Sequence, residues 1–260
     1  MCMTPRKQTP PPTSPTWDDD TLRAPHTQSD KAARVERMFD AIAPTYERVN
    51  RLVSFGRDAA WRRRAVAAAR VGSDDVVLDI CCGTGDMLRA LAKATPTPRL
   101  IIGVDFAADM LACGEYSCIG SPITLLRADG LRLPMRGESV DVVTSAFGVR
   151  NFQDLDAGLR EMYRVLRLGG RVVILEFALP ENPLARWGYR FYCERVLPRL
   201  ASWVSRDETG AYRYLPSSIR TFERRAAMVA RLEHAGFRGV RTTPMNMGGV
   251  VIYRGEKAKT

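Results

Sequence analysis

The sequence predicts an α/β fold in which a mostly parallel sheet is covered by helices on both faces. Short, continuous apolar runs such as "VVLDI" and "RVVILEF" alternate with helical segments along residues 76–177, a pattern typical of parallel strands buried on both sides. Near the end of the chain, "GVRTTPMN" and "GGVVIYRGEK" follow each other after a short connection. These two runs predict an antiparallel pair at one edge of a seven-stranded sheet.

The elements are predicted in order along the chain. Apolar residues at helical spacing predict a helix from residue 31 that Pro44 interrupts, and "DAAWRRRAVAAARV" predicts another helix before the sheet. Parallel strands are predicted in "VVLDI", "RLIIGVDF", "ITLLRAD", "VDVVTSAFG" and "RVVILEFA". The amphipathic helix "LDAGLREMYRVLRL" is expected to end at Gly169 and Gly170.

Two segments stand apart from this alternating pattern. Residues 1–30 are rich in proline and poor in apolar residues, so we predict a disordered tail before a single domain over 31–260. Residues 181–218 form an insertion rich in aromatic side chains and arginine. It is either a helix packed over the sheet or a lid over an apolar substrate, with an apolar side drawn from Trp187, Phe191, Tyr192, Leu197, Leu200 and Trp203.

Composition limits the class of protein. No apolar run approaches the roughly 18–20 residues that span a bilayer, and the N-terminal residues do not read as a secretory signal, so we expect a cytoplasmic protein. The six cysteines form no CxxC pair, and no metal site is expected. Cys81 and Cys82 are predicted to be compact packing residues. The net charge of +10 is compatible with nucleic acid, with an anionic membrane surface, or with neither.

A glycine turn follows the first predicted strand. The string from Asp79 to Gly85 places an acid four residues before the first glycine, and no third glycine follows at the offset of a dinucleotide fingerprint. Glycines at the carboxyl end of a strand let the backbone approach a ligand closely. The pattern DxxxGxG is typical of class I S-adenosylmethionine-dependent methyltransferases, which have a Rossmann-like fold.

Two further positions suit that cofactor. Asp105 ends the second predicted strand, where a carboxylate accepts hydrogen bonds from ribose hydroxyls. Asp129 and Gly130 follow the third strand, where a polar group can meet the adenine edge. Two alternatives remain open: Asp79 caps backbone near the turn, or Asp129 is a solvated surface acid.

The chain resembles the ubiquinone/menaquinone biosynthesis C-methyltransferases, and most closely the demethylmenaquinone methyltransferases. The resemblance runs from about residue 35 to residue 257. The most specific segments are "FGVRN" and "YLPSSI", and the full set is "VERMFDAIAPTYERVNRLVSFGRDAAWRR", "LDICCGTGD", "AFGVRNFQD", "EMYRVLRLGGRVVILEF" and "YRYLPSSIRTF".

This resemblance implies a cofactor, a substrate and their residues. The cofactor is S-adenosyl-L-methionine, and the acceptor is a polyprenyl quinol, with demethylmenaquinol to menaquinol as the favoured reaction. Tyr46, Arg150 and Asn151 are implied to face the reacting ring. The residues implied to bind the cofactor are Gly83, Thr84, Gly85, Asp105, Asp129 and Gly130.

Alternatives to this function stay open at the level of sequence. They are a benzoquinol acceptor in ubiquinone biosynthesis, another small-molecule acceptor, and a basic RNA-associated protein. Because "SAFGVRN" stands where nitrogen-methylating enzymes often carry Asn-Pro-Pro-Tyr, no nucleic-acid partner is expected. Peripheral contact with the inner face of the membrane and formation of a homodimer are left open.

The chemistry assigns Arg150 a role in stabilising charge. Loss of a phenolic proton places negative charge on the ring carbon that attacks the methyl group, and a guanidinium can stabilise that phenolate. The same charge makes Arg150 a poor general base, so a bound water is the candidate acceptor of the proton. Glu176 is a weaker candidate for a second base. The alternative for Arg150 is a salt bridge to Asp154 or Asp156 that anchors the loop.

Overall fold

A computed structural model describes residues 16–114, 116, 122–196 and 209–259, without the side chains of residues 193 and 194. Before the sheet lie four helices: α1 (Asp19–Arg23), α2 (Lys31–Ile42), α3 (Tyr46–Val53) and α4 (Asp58–Ala69). A 3-10 turn, Ala43–Thr45, separates α2 from α3 and contains Pro44. The predicted interruption is therefore confirmed.

The sheet and its helices follow in alternation. The elements are β1 (Val76–Ile80), α5 (Asp86–Ala92), β2 (Leu100–Asp105), α6 (Ala108–Cys113), β3 (Ile123–Arg127), β4 (Val140–Ala146), α7 (Leu155–Val165), β5 (Leu166–Phe177), α8 (Pro183–Phe191), a π-helical turn (Tyr192–Val196), α9 (Ala211–Thr221), α10 (Arg225–His234), β6 (Arg238–Met245) and β7 (Val250–Glu256).

Within the described residues, seven strands form one sheet in the order β3-β2-β1-β4-β5-β7-β6. Strands β1 to β5 pair in parallel, whereas β7 pairs antiparallel with both β5 and β6. The predicted mixed, seven-stranded sheet is confirmed. The strand order reverses between β1 and β4, and ligands of such sheets bind at this point, outside the carboxyl ends of the strands.

Alternating strand residues build a core on each face of the sheet. Leu78 and Ile80 of β1 pack on the side of α7 and α10, with Leu159 and Leu232 from those helices. Val77 faces the opposite side, where the aliphatic residues of α4 and α5 cover the sheet. Both faces are therefore buried, as the continuous apolar strands predict.

The predicted end of α7 is wrong. The helix ends at Val165, and Leu166 already has an extended backbone and pairs with Val140 in the sheet. Gly169 and Gly170 lie within β5, where Gly169 has a φ of 78° and its N–H donates to Lys257 at 2.8 Å. The glycines therefore allow an irregularity within the strand, because a left-handed backbone favours glycine in a strand as much as at the end of a helix.

The prediction of disorder is wrong for residues 16–30. Trp17 is fully buried, and α1 follows with Asp18 and Thr21 forming a capping box. The composition of the segment is polar on average, but Trp17 and Leu22 bury enough apolar surface to fix it on the domain. Residues 1–15 lie outside the described part of the chain.

The insertion contributes a helix that covers a cavity without packing on the sheet core. No side chain of α8 is fully buried, and Trp187 and Phe191 stack with ring centroids 6.2 Å apart on its exposed side. Leu197, Leu200 and Trp203 lie outside the described residues. No described helix is long and apolar enough to cross a membrane.

Candidate active site

The glycine turn lies at the carboxyl end of β1, where the strand order reverses. Three of its residues have a left-handed backbone, with φ of 59° at Cys81, 55° at Gly83 and 90° at Gly85. Glycine adopts this conformation without steric cost, and Gly85 then immediately precedes α5. The turn exposes backbone at the edge of the sheet where a ligand is expected.

Asp105, at the end of β2, is held against this turn. Its Oδ2 accepts the N–H of Gly83 at 2.8 Å, and its Oδ1 accepts the N–H of Ala107 at 2.9 Å. Burial raises the pKa of Asp105 to about 6, although these N–H donors act in the opposite direction. The structure therefore brings Asp105 and Gly83 together, and each carboxylate oxygen retains a lone pair for a further donor.

Buried polar atoms beside the turn test whether the cofactor fits. Asp79 accepts a hydrogen bond from Thr144 Oγ1 at 2.6 Å, so its recorded partner is a side chain of β4 and not the backbone of the turn. In the described part of the chain, Asp79 Oδ2, Thr84 Oγ1 and Ser145 Oγ are buried without a hydrogen-bond partner. Such atoms are rare unless a ligand or water completes them, and they suit the ammonium and carboxylate of S-adenosylmethionine.

The charge state of Asp79 depends on its surroundings. Burial raises the pKa of Asp79 to about 7, while the bond from Thr144 and the charge of Arg62 lower it. A carboxyl with a pKa near neutrality gains ionisation when a cation binds beside it. The ammonium and sulfonium groups of the cofactor would therefore stabilise the ionised form.

Asp129 and Gly130 differ in their surroundings. Asp129 is exposed, and its Oδ1 accepts the N–H of Leu131 at 2.9 Å. Gly130 is buried, and a side chain there would lie 2.9 Å from Ile80 and 3.0 Å from Phe152. Gly130 is thus required by close packing, and the adenine contact of Asp129 stays a prediction.

An aromatic side chain covers the glycine turn. The hydroxyl of Tyr116 donates to the carbonyl of Gly83 at 2.9 Å, and a Cβ at Gly85 would lie 2.5 Å from the Tyr116 ring. The ring therefore occupies the space that the absence of a side chain at Gly85 leaves open. A ligand seated on this turn has to displace the ring or stack against it.

The segment "FGVRN" forms a tight loop after β4. Phe147 has a φ of 61°, and a 3-10 turn, Val149–Asn151, follows it. Arg150 is 5% exposed, and its Nη1 donates to the carbonyl of Phe147 and to Glu176 Oε1, the latter at 2.8 Å. Arg150 Nε has no partner among the described residues. The guanidinium is therefore anchored on one side and keeps a donor for another group.

Neither of the two salt bridges that the sequence suggested for Arg150 is formed. Asp154 accepts the N–H of Ala157 at the start of α7, and Asp156 pairs with Arg231 at 2.6 Å. Glu176 is the partner instead. Burial lowers the pKa of Arg150, but the charge and hydrogen bond of Glu176, together with Tyr214 and Tyr46, raise it by more, so the net pKa is raised.

Glu176 is fully engaged in holding this loop. Besides the guanidinium, its Oε1 accepts the N–H of Phe177 at 2.9 Å and its Oε2 accepts the N–H of Arg150 at 3.3 Å. The side chain is fully buried. These contacts make Glu176 an anchor for Arg150 and leave it poorly placed as a base.

Asn151 faces α9. Its Oδ1 accepts the hydroxyl of Tyr214 at 2.9 Å, and its Nδ2 lies 3.5 Å from the carbonyl of Phe147. Tyr214 is buried and lines a large cavity beside the loop, whereas Asn151 is not among the residues that line this cavity. The structure therefore places Tyr214 between Asn151 and the cavity.

A cavity of about 1050 Å³ adjoins this loop. Tyr46 and Arg150 both line it, whereas the six predicted cofactor residues are not among its lining residues. That Tyr46 and Arg150 face the reacting ring stays a prediction. Burial raises the pKa of Tyr46, although its bond with Asn50 lowers it. Most of the lining is apolar or aromatic, including Met38, Phe39, Ile42, Val53, Phe55, Trp61, Phe147, Phe177, Leu184, Tyr189, Tyr192, Tyr214, Leu215, Ile219 and Val250.

Sequence reasoning missed two side chains that shape this site. Tyr214 lies within "YRYLPSSI", so the family segment itself was the available signal. Lys31 is buried, and its Nζ donates to the carbonyls of Arg150, at 3.0 Å, and of Phe152. Burial lowers the pKa of Lys31 to about 8. No sequence signal marks Lys31, since a lysine at the start of a helix is usually solvated.

Comparison with known proteins decides the family. The model of the ubiE/COQ5 methyltransferase family matches residues 27–257. The chain belongs to the ubiE/COQ5 methyltransferase family. This membership confirms the resemblance and makes the chain an S-adenosylmethionine-dependent C-methyltransferase.

Two relatives illustrate the similarity to this family. A ubiquinone/menaquinone biosynthesis C-methyltransferase of Geobacter sulfurreducens is 42% identical over 88% of this chain and 90% of its own length. A demethylmenaquinone methyltransferase of Thermus thermophilus is 42% identical over 85% of this chain and all of its own length.

Solved structures share the fold of the ubiE/COQ5 member described here. A putative methyltransferase in complex with the Haloferax volcanii Trm112 activator has a TM-score of 0.61 at 19% identity, covering 85% of this chain and 98% of its own. An S-adenosylmethionine-dependent methyltransferase of Thermotoga maritima has a TM-score of 0.56 at 19% identity, with the same coverage. At these identities the likeness establishes the class I methyltransferase fold.

Proposed function

We propose that the chain methylates a ring carbon of a reduced polyprenyl quinone, with demethylmenaquinol as the acceptor. The observation that carries this proposal is the large, mainly apolar cavity with Arg150 in its wall. Its volume of about 1050 Å³ lies slightly above the ~300–1000 Å³ usual for ligand pockets. A ring with an isoprenoid tail would use that space, and a small polar acceptor would not.

The residues of the loop supply what the acceptor requires. S-adenosylmethionine, when bound, supplies an electrophilic methyl group. Arg150 remains protonated beside Glu176, so its guanidinium, in the cavity wall, can stabilise the phenolate oxygen of the acceptor. Tyr46 keeps its proton because its pKa is raised, and it can donate to the same ring. Both side chains favour the ionised quinol over its neutral form.

The proton released by the quinol hydroxyl goes to water in this proposal. Arg150 holds its proton, and the carboxylate of Glu176 accepts three donors already. Closure of the apolar cavity around the ring excludes other water and aligns the ring carbon with the methyl group. The ring carbon would then take the methyl group as the bond from methyl carbon to sulfur breaks. It would lose its own hydrogen to water as a proton while the ring oxygen regains one, which restores the aromatic quinol.

A test compares acceptors directly. Purified protein is given labelled S-adenosylmethionine with reduced demethylmenaquinone, with a reduced demethylbenzoquinone, or with total RNA. Transfer of label to the naphthoquinol ring is expected. Preference for the benzoquinol would move the assignment to ubiquinone biosynthesis, and labelling of RNA alone would refute a quinone acceptor.

A second test uses an active-site variant and a matched control. Arg150→Met should lower kcat by about 10²–10³-fold, the usual effect of removing one stabiliser of developing negative charge. Arg186→Met removes an arginine of α8 that does not line the cavity, and it should leave kcat for a short-chain quinol unchanged. Equal activity of the two variants would contradict the role of Arg150.

The exposed face beside the cavity matches a membrane surface as partner. Leu184, Phe55 and Met247 line the cavity and are 77%, 69% and 81% exposed, respectively. Trp187 and Phe191 continue this apolar surface on α8. A lipid tail would thus pass from the bilayer into the cavity without crossing water.

The charge of α8 supports an anionic membrane as the partner. The helix α8 carries Arg186 and Arg190 and no acidic residue. An interfacial helix of this kind buries its aromatic side in the lipid headgroup region while its arginines meet anionic lipids. We therefore expect binding to vesicles that contain phosphatidylglycerol and much weaker binding to pure phosphatidylcholine.

Flotation of vesicles tests this partner separately from the reaction. The variant Trp187→Glu with Phe191→Glu should stay with the protein fraction and lose activity on a vesicle-embedded polyprenyl quinol, while it keeps activity on a water-soluble short-chain quinol. Leu168→Glu is the matched control, because Leu168 is also exposed but lies near the opposite end of β5 from Phe177. Equal flotation of the two variants would refute the assignment of this face.

A further inference from the structure

Residues 16–26, here called the strap, pack against α9. The family match begins at residue 27, so the strap lies outside the part of the chain that the family model describes. The indole of Trp17 stacks on the Tyr214 ring with centroids 4.4 Å apart and an interplanar angle of 27°. Trp17 is fully buried in this position.

Hydrogen bonds fix the strap at both ends of α9. The N–H of Trp17 donates to the carbonyl of Thr209 at 3.2 Å, just before the helix. Ser217 Oγ donates to the carbonyl of Leu22, and the carbonyl of Ser218 lies 2.9 Å from His26 Nε2, which donates to it. Contacts at both ends restrain the position of α9 as well as its tilt.

The strap is also held from the side of α2. Arg34 Nη1 donates to the carbonyl of Thr16 at 2.7 Å, and its guanidinium lies 5.7 Å from the centre of the Trp17 ring. A cation over an indole face is attracted to it. A Cβ at position 210 would lie 2.8 Å from the carbonyl oxygen of Trp17, so the glycine at this position allows the strap to approach closely. The indole is thus clamped between Arg34 and Tyr214.

This contact reaches the catalytic loop through one residue. Tyr214 donates its hydroxyl to Asn151 Oδ1 at 2.9 Å, and Asn151 follows Arg150 directly. Tyr214, Ala211, Leu215 and Ile219 of α9 also form part of the cavity wall. A shift of α9 would therefore move both the wall of the cavity and the hydrogen bond to the "FGVRN" loop.

We propose that Trp17 is a positioning residue, which sets the place of Tyr214 and, through it, the orientation of the Arg150–Asn151 loop. Its effect on catalysis rests on the proposed function, whereas its effect on the position of α9 does not. Among the described residues, no hydrogen bond or ring contact joins the strap to the glycine turn or Asp105, so it should govern methyl transfer and leave the cofactor site as it is.

Two substitutions in the full chain test this role. Trp17→Ala removes the stack and should lower kcat on a short-chain quinol by about 10- to 100-fold, since small displacements of a catalytic group cost rates of this order. The dissociation constant for S-adenosylmethionine should change less than about threefold. Trp17→Phe keeps an aromatic ring over Tyr214 and should restore kcat to within a few-fold of the parent.

A control separates positioning from loss of stability. Leu232→Ala removes a fully buried side chain from α10, in a core cluster separate from the one that contains Trp17 and Leu22. It should lower the urea midpoint without changing kcat per folded molecule. If Trp17→Ala lowers activity only in proportion to its unfolded fraction, or if Leu232→Ala lowers kcat equally, the positioning role is refuted.

A readout without the quinol separates this proposal from the proposed function. Trypsin should cut Trp17→Ala faster than the parent after Arg213 or Arg220 of α9, and Trp17→Phe should resist as the parent does. Faster cleavage without quinol methylation by the parent would uphold the strap and refute the acceptor. Unchanged cleavage in Trp17→Ala would refute the strap.

Discussion

Removal of the buried Arg150–Glu176 pair should be cooperative. The side chains are 6% and 0% exposed, and Arg150 Nη1 lies 2.8 Å from Glu176 Oε1. Taking away one partner of a buried ion pair leaves an uncompensated charge and costs about 3–5 kcal/mol. We therefore expect Arg150→Met and Glu176→Leu each to destabilise the fold by about that amount.

The double variant should cost much less than the sum of its parts. With both charges gone, the remaining loss is that of the backbone N–H groups of Arg150 and Phe177, which lose Glu176 as acceptor. Each unpaired buried donor costs about 1–3 kcal/mol, and relaxation of the loop reduces this. The double variant should thus lose about 2–4 kcal/mol, against roughly 6–10 kcal/mol for additive singles.

Urea unfolding of the four proteins gives the coupling energy. The value should exceed about 2 kcal/mol, and the exposed pair Arg127–Glu36, at 3.0 Å, should give less than about 1 kcal/mol as a control. Additivity of the Arg150 and Glu176 effects within about 0.5 kcal/mol would refute the pair. The double variant should fold yet remain inactive; activity in it would refute the role of Arg150 in the chemistry.

Three further predictions concern the glycine turn. Burial raises the pKa of Asp79 to about 7, and a cationic cofactor favours its ionised form, so cofactor affinity should rise between pH 6 and 8 as binding releases a proton. Calorimetry in buffers of different ionisation enthalpy measures this release. An affinity that does not change with pH would contradict the prediction. Gly85 has a φ of 90° and lies against the Tyr116 ring, so Gly85→Ala should cost about 1–2 kcal/mol of stability and weaken cofactor binding. Titration calorimetry measures the affinity, and an affinity equal to that of the parent would contradict the prediction. Burial raises the pKa of the Cys81 and Cys82 thiols well above normal, so Cys81→Ala with Cys82→Ala should keep kcat within a few-fold in the labelled-methyl assay; complete loss would indicate a thiol role.

The features that sequence predicts well are local. Gly83 and Gly85 form a short pattern directly after β1, and Asp105 ends the strand next to it in the sheet. Parallel pairing then brings the two together without further information, because carboxyl ends of parallel strands share one edge. The contact of Gly83 with Asp105 follows from these rules alone.

The contacts that sequence misses join distant segments. Glu176 pairs with Arg150 across 26 positions, and Lys31 reaches the same loop from 119 positions away. Either side chain reads as a solvated charge when only its neighbours are considered. The error over residues 16–30 has the same cause, since Trp17 is buried by residues distant in sequence, among them Tyr214.

The two loops of the site are packed so closely that neither can be understood alone. Cys81 and Phe147 both hold left-handed backbones, with φ of 59° and 61°, which costs a non-glycine residue of order 1–3 kcal/mol and persists only where surrounding contacts enforce it. Those contacts include each other's loop, because a Cβ at Gly148 would lie 2.4 Å from Cys81 Cβ. The small side chain of Cys81 and the absence of a side chain at Gly148 therefore let the glycine turn and the Arg150 loop touch. Cys81 is explained by this approach, because a larger side chain there would force the two loops apart.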